Sequence, residues 1–305
     1  MGIYFFDKKI IIISVTLAAC LYMVVFPEIT IRASKTAIDI WLNSIVPVIM
    51  PFFIAAGFLK RIGVCNSLPV RIYPFAMAVL SGYPMGAKIS GDYYRDGQIN
   101  EKELYSLLSY SMVTGPAFIV GTVGVSLLNS YAAGVALALS HYASAVVNGL
   151  IYGGTGLIKT GTSHRELISS DNQSYYNILT DSILETFKSM AIILAYIMLF
   201  MIICVTVSET GFFSSNGYEY GEALITGIME MTVGCGKMSA VDINTLYLIP
   251  GVSFMISFGG LSVLGQSMSM LKNCPVKAPA LMKIKFSHGL ISAIISFVIY
   301  KLMVV

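Results

Sequence analysis

From Met190 to Val207 the chain runs without a charged residue, and so does the stretch from Ala132 to Tyr152. As α-helix, at 1.5 Å per residue, runs of this length rise about 30 Å, the thickness of the hydrocarbon layer of a bilayer. Ile10 to Phe26, Ile45 to Leu59 and Phe286 to Val304 are comparable or slightly shorter. In lipid a single segment satisfies its own backbone only as a helix, so these runs impose an all-α integral membrane fold. Composition agrees. Apolar residues make up 56% and charged residues 11%, with a mean hydropathy of +0.78, against roughly 45–50% and 25% in soluble domains.

Several function classes fall away on the same grounds. A net charge of +3 spread through loops gives no basic stripe for nucleic acid. Cys20, Cys65, Cys204, Cys235 and Cys274 form no C-x-x-C pair, and His141, His164 and His288 have no ligand spacing, so no metal or cofactor is expected. No Ser-His-Asp or Cys-His arrangement suggests an enzyme. Lys8 and Lys9 ahead of Leu17-Ala18-Ala19-Cys20 have the form of a lipoprotein leader, but the apolar run continues through Phe26. An uncleaved first span over residues 1–33 is the expectation.

Internal repetition sets the architecture. Thr114-Gly115-Pro116-Ala117-Phe118-Ile119-Val120-Gly121 finds a partner in Phe258-Gly259-Gly260-Leu261-Ser262-Val263-Leu264-Gly265. Gly115 to Gly259 is a shift of 144 residues, Trp41 to Thr186 one of 145, His141 to His288 one of 147 and Lys88 to Lys237 one of 149. Two repeats follow, at 34–152 and 179–305, joined by a cytoplasmic linker at 153–178. Each holds a lead-in helix, a span, a short Gly-rich interrupted segment, a broken span and a final span. The interrupted segments, about 70–95 and about 223–244, are too short to cross twice and read as re-entrant hairpins, with tips at Gly82-Tyr83-Pro84-Met85-Gly86 and Val233-Gly234-Cys235-Gly236. The broken helices lie at about 101–128 and about 246–271.

Three crossings per repeat invert the second copy relative to the first. Lys60, Arg61, Arg71, Lys272, Lys277, Lys283 and Lys285 then fall on one side and Glu209, Glu219 and Glu222 on the other, which puts the N-terminus in the cytoplasm.

Helix breaks at mid-depth survive only where they line a cavity or pack on protein, and half-helix N-termini attract anions. The expected substrate site therefore gathers Lys88 and Lys237, in the first turn after each tip, facing one centre from opposite sides. Tyr83, Gly86, Gly236, Ser90, Ser239, Thr114, Gly115, Pro116, Ser257, Gly259 and Gly260 complete it. His141 and His288 read as a relay or as interhelical polar contacts, and Gln266, aligned with Thr122, as an interhelical contact. The partners implied are a small anionic solute and the bilayer; the coupling ion and assembly into a homo-oligomer stay open.

Ser81-Gly82-Tyr83-Pro84-Met85-Gly86-Ala87-Lys88, the stretch from Gly115 to Gly124, and Phe258-Gly259-Gly260-Leu261-Ser262-Val263-Leu264-Gly265-Gln266 together resemble the sporulation integral membrane proteins of the YlbJ type, which carry nucleoside-recognition Gate domains. The resemblance implies a fold similar to the core of concentrative nucleoside transporters, and export of dipicolinic acid, a planar dianion, from mother cell toward forespore across the outer forespore membrane. A nucleoside or other metabolite symporter, and a sporulation membrane protein that transports nothing, are the alternatives.

Overall fold

A computed structural model describes residues 8–63, 69–153, 174–209 and 218–304. Nearly all of the expected linker at 153–178 lies outside them. Every described element is a helix. Among the described residues, four helices are long and apolar enough to cross a membrane unaided: α7 (Tyr131–Gly153), α8 (Tyr175–Glu209), the α11 and α12 run and α13 (Ala278–Val304). Only 28% of the apolar window of α8 is buried, against 78% for the α11 and α12 run. The first therefore presents its Leu and Ile side chains to lipid, and the second forms the middle of the bundle.

The element order repeats. Helix α1 (Lys8–Val25) bends sharply, by 99°, into α2 (Pro27–Ile40). A π-helical stretch, Trp41–Ile45, carries α2 into α3 (Val46–Arg61). Pro47 is the cause to hand, because its ring clashes with the carbonyl four residues back, at Asn43, and the ladder widens there. From Pro27 to Arg61 this is one bent run of the same length as α8, against which it packs, with Trp41 Nε1 donating to the Met190 carbonyl at 3.0 Å.

Next comes a helical hairpin, α4 (Tyr73–Ser81) and α5 (Met85–Arg95), then a broken pair, α6 (Glu101–Ser111) and a π-helical segment, Ala117–Leu127, then α7. Asn100 and Glu103 start α6 with reciprocal side-chain to backbone bonds, a capping box. After α8 the order recurs: hairpin α9 (Glu219–Met229) and α10 (Met231–Ser239), broken pair α11 (Thr245–Phe258) and α12 (Gly260–Met270), then α13.

The second hairpin turns at Glu230, not at Val233-Gly234-Cys235-Gly236, which lies inside α10. The Glu230 carboxylate caps α10 by accepting from the Val233 N–H at 2.8 Å. The nearby glycines serve packing instead. A Cβ on Gly234 would stand 2.1 Å from the Gly227 Cα, so α9 and α10 touch backbone to backbone.

The ion pairs among the described residues gather at two ends of the bundle. Lys60 pairs with Asp92 and Asp96, Arg61 with Glu185 and Arg71 with Glu103, while Arg95 donates to the Lys272 carbonyl, all at one end. Arg32 with Glu209, and Lys237 with Glu222, mark the other.

Candidate substrate cavity

Gly82 ends α4 at φ +83 and ψ −168, a conformation essentially reserved for glycine. A Cβ there would also press to 3.1 Å from the Gly115 nitrogen, so the first hairpin tip sits directly on the first helix break. The second break is built alike: Gly259 closes α11 at φ +84, and a Cβ on Gly260 would lie 3.1 Å from the Gly227 carbonyl oxygen of α9. The two assemblies meet through Tyr83, whose hydroxyl reaches the carbonyls of Ile256 and Ser257 at 3.2 and 3.3 Å.

Where they meet is a cavity of about 100 Å³. Ser81, Gly82 and Tyr83 come from the first tip, Glu230, Met231 and Thr232 from the second, and Thr114, Gly115, Ala117, Phe118 and Thr122 from the first broken helix. Gln266 of α12 completes the polar side, and Val263, Ile45, Ile49, Ile193 and Ile197 form an apolar wall. The volume is below the roughly 300–1,000 Å³ of open ligand pockets. The hollow is small and partly open.

Behind Tyr83 lies Lys285 of α13, 2% exposed. Its Nζ donates to Tyr83 Oη and to the Met112 carbonyl, both at 2.7 Å, lies 3.2 Å from His288 Nδ1 and stands 4.6 Å above the Tyr83 ring. Tyr83 can place its own proton on the α11 carbonyls, Met112 offers a carbonyl, and His288 donates Nε2–H to the His141 carbonyl at 3.1 Å, which leaves Nδ1 as a lone pair in the neutral ring. As an ammonium, Lys285 has an acceptor for each of its three N–H groups. Among the described residues it has no ion-pair partner.

The histidines bridge the halves. His141 Nε2 accepts the Thr114 N–H at 3.0 Å, which leaves Nδ1–H to donate to Ser257 Oγ at 2.7 Å. The two rings lie 5.0 Å apart, centre to centre. Tyr142 adds a bond to the Thr114 carbonyl at 2.9 Å. The backbone freed at the breaks is thus largely taken up by buried side chains, as lipid demands.

The expected lysine pair does not form. Lys88 pairs with Glu185, and Lys237 with Glu222 and with Ser208. Glu185 and Ser208 both belong to α8 and flank its charge-free stretch. They stand 23 residues apart, about 35 Å of helix. The two ammonium groups therefore mark opposite ends of the bundle. The physical reason is length: each second hairpin helix carries its lysine back toward the end from which the hairpin came, where a carboxylate and water are within reach.

Of the other expected residues, Tyr83, Thr114, Gly115 and Gln266 line the chamber, and Gln266 Nε2 also reaches Ser262 Oγ at 3.2 Å. Ser257 sits behind it as the partner of His141, and Gly259 and Gly260 shape the second break. Ser90 is buried against Ser111, Ser239 bonds the Gly236 carbonyl of its own helix, and Gly86 is pressed onto the Ser111 carbonyl. Gly236 faces open space, and Pro116 is an exposed cap of the π-helical segment. Lys285, which the sequence places among loop lysines, is the central cation instead, and Glu230 is the chamber's carboxylate.

A second hollow of about 330 Å³ lies toward the Lys60 end, lined by Phe53, Ala56, Gly57, Met85, Lys88, Asp92 and Glu185 among others. It follows the same α3 and α8 faces that wall the chamber, displaced by two to three helical turns. Phe53 and Met85, at 2% and 1% exposure, stand in that interval.

The chain is 22% identical over 320 residues to the sporulation integral membrane protein YlbJ of Bacillus subtilis, a match that covers 90% of this chain and 78% of that protein. No family model matches. No solved structure matches either.

Proposed function

We propose that the chain, similar to the YlbJ-type sporulation integral membrane proteins, is a secondary transporter of a small carboxylate, dipicolinate by the family's implication, moved from mother cell toward forespore. The observation that carries the reading is the chamber where both hairpin tips meet the first broken helix, with Gln266 and Val263 of the second beside them. Lys285 gives that chamber an ammonium with no carboxylate attached, one side chain behind the wall. A substrate carboxylate that displaces or reorients Tyr83 finds this charge.

The repeated element order supports two inverted copies of one unit resembling the concentrative nucleoside transporter core. The opposite placement of Lys88 and Lys237 accords with hairpins that come in from opposite faces. In this reading the N-terminus is cytoplasmic, the membrane is the outer forespore membrane, and the hollow beside Lys88 is the vestibule on one side.

Glu230 and Gln266 on the chamber wall favour a second reading, uptake of a neutral hydrogen-bonding solute such as a nucleoside. One experiment separates the two. In vesicles containing the purified protein, labelled dipicolinate accumulates or exchanges and labelled uridine does not. The reverse result supports the nucleoside reading, and flux of neither supports a membrane protein that transports nothing.

A further inference from the structure

Glu230 is a carboxylate in an unusual place. It is 2% exposed, lines the chamber, and makes no ion pair among the described residues. Its bonds are to the start of its own helix: it accepts from the Val233 N–H and bonds Thr232 through backbone and side chain. It is also the single acid between Ala223 and Val241. None of the chamber-lining side chains beside it is a cation, and Lys285 lies behind Tyr83. Cys204 of α8 and Cys235 of α10 are its titratable neighbours. Tyr83 shares the chamber from the first hairpin, the π-helical segment and α12 bring Thr122 and Gln266, and the ionisable side chain of α11, Tyr247, is exposed at that helix's first turn. Lys237, on the same helix as Glu230, is engaged by Glu222 and Ser208.

An anionic substrate cannot share a chamber of this size with an ionised Glu230 at low cost. Two like charges a few ångströms apart in a low-dielectric enclosure repel strongly, and a close pair of carboxylates resolves this by holding a proton. We infer that Glu230 is the coupling group of the transporter, and that it binds one proton for each carboxylate solute carried. This rests on the transport reading above. The balance is simple: Glu230 takes a proton from the side where substrate is captured, neutral Glu230 and the anion occupy the chamber together, and the proton and the anion leave on the other side. The ionised carboxylate then returns to its place over the N–H groups of α10. A cap that keeps the empty carrier's carboxylate satisfied also explains why Glu230 needs no cation. The carrier is a proton and carboxylate symporter.

Vesicles containing the full chain test this with labelled dipicolinate, the membrane potential clamped and a pH dye trapped inside. Acid outside should speed uptake by up to about tenfold per pH unit, the limit for one bound proton per turnover, and dipicolinate added outside should acidify the lumen. Glu230→Gln should abolish substrate-driven acidification and flatten the dependence on external pH. Glu230→Asp should keep both, which guards against a misfolded variant. Dipicolinate flux that ignores the proton gradient and moves no protons in the wild type overturns the coupling and leaves transport standing. Absence of any flux overturns the transport reading and the coupling with it.

Discussion

Gly86 and Gly236 stand two residues and one residue ahead of Lys88 and Lys237, each in the second helix of its hairpin, yet their surroundings differ enough to predict different outcomes for the same substitution. A Cβ on Gly86 would lie 1.9 Å from the Ser111 carbonyl oxygen and 2.6 Å from its carbon. Ordinary contact needs roughly 3.4 Å, so α5 must retreat from the end of α6 by about 1.5 Å, and what it meets is backbone, not a flexible side-chain end. Overpacking of this kind costs about 1–3 kcal/mol and more where backbone must shift. The gain in helix propensity from Gly to Ala, about 1 kcal/mol, does not offset the upper part of that range. At Gly236 nothing stands within 4 Å, so only the propensity gain operates. The propensity gain is common to both variants and cancels, so Gly86→Ala should be less stable than Gly236→Ala by the overpacking cost, about 1–3 kcal/mol, or on the order of 2–8 °C in Tm for a chain of this size. Thermal unfolding of the detergent-solubilised variants, followed by intrinsic fluorescence, reads the difference. Equal Tm values, or a larger loss at Gly236, would refute the seating of the first hairpin on α6.

Lys285→Met keeps volume but removes donors from the Met112 carbonyl and His288 Nδ1. Two stranded acceptors at about 1–3 kcal/mol each are set against release of a buried ion's desolvation, also several kcal/mol. Tm should stay within a few degrees of wild type while dipicolinate uptake is lost, and retained uptake would remove the ammonium from the account. Lys88→Ala and Lys237→Ala break ion pairs at the bundle ends and should each cost no more than about 1 kcal/mol. Uptake should stay largely intact, and a tenfold loss in either variant would return that lysine to the substrate path. Asn100→Ala removes the α6 cap and should lower stability by about 1 kcal/mol, measurable as a small Tm decrease with uptake unchanged.

The fold was legible where sequence carries length and repetition. Apolar runs marked the spans, and the shift between Gly115 and Gly259 located both breaks, because a broken helix in lipid needs residues that tolerate unusual backbone. The site was less so. Glycine served two purposes that composition cannot separate: Gly82 and Gly259 turn the chain, while Gly227 and Gly234 let α9 and α10 touch. Reading Gly234 as a turn shifted the second tip away from Glu230. Lys285 escaped because it has no counterpart in the first repeat, where a shift of 147 residues leads to Ala138. A signal was present in its spacing to His288, three residues on and hence on the same helical face. The paired lysines misled for the opposite reason, since each lies in the second helix of its hairpin and is drawn to a carboxylate, Glu185 or Glu222, at its own end of the bundle.

The most direct measurement joins the two tips. With the native cysteines replaced, Ser81→Cys and Thr232→Cys place one thiol on each hairpin tip, both on the wall of the same chamber of about 100 Å³. A short bifunctional thiol reagent should link them within one chain, and linked protein in vesicles should lose dipicolinate uptake that the unlinked protein shows. Failure to link the two thiols, or full uptake by linked protein, would contradict a solute path between the hairpin tips.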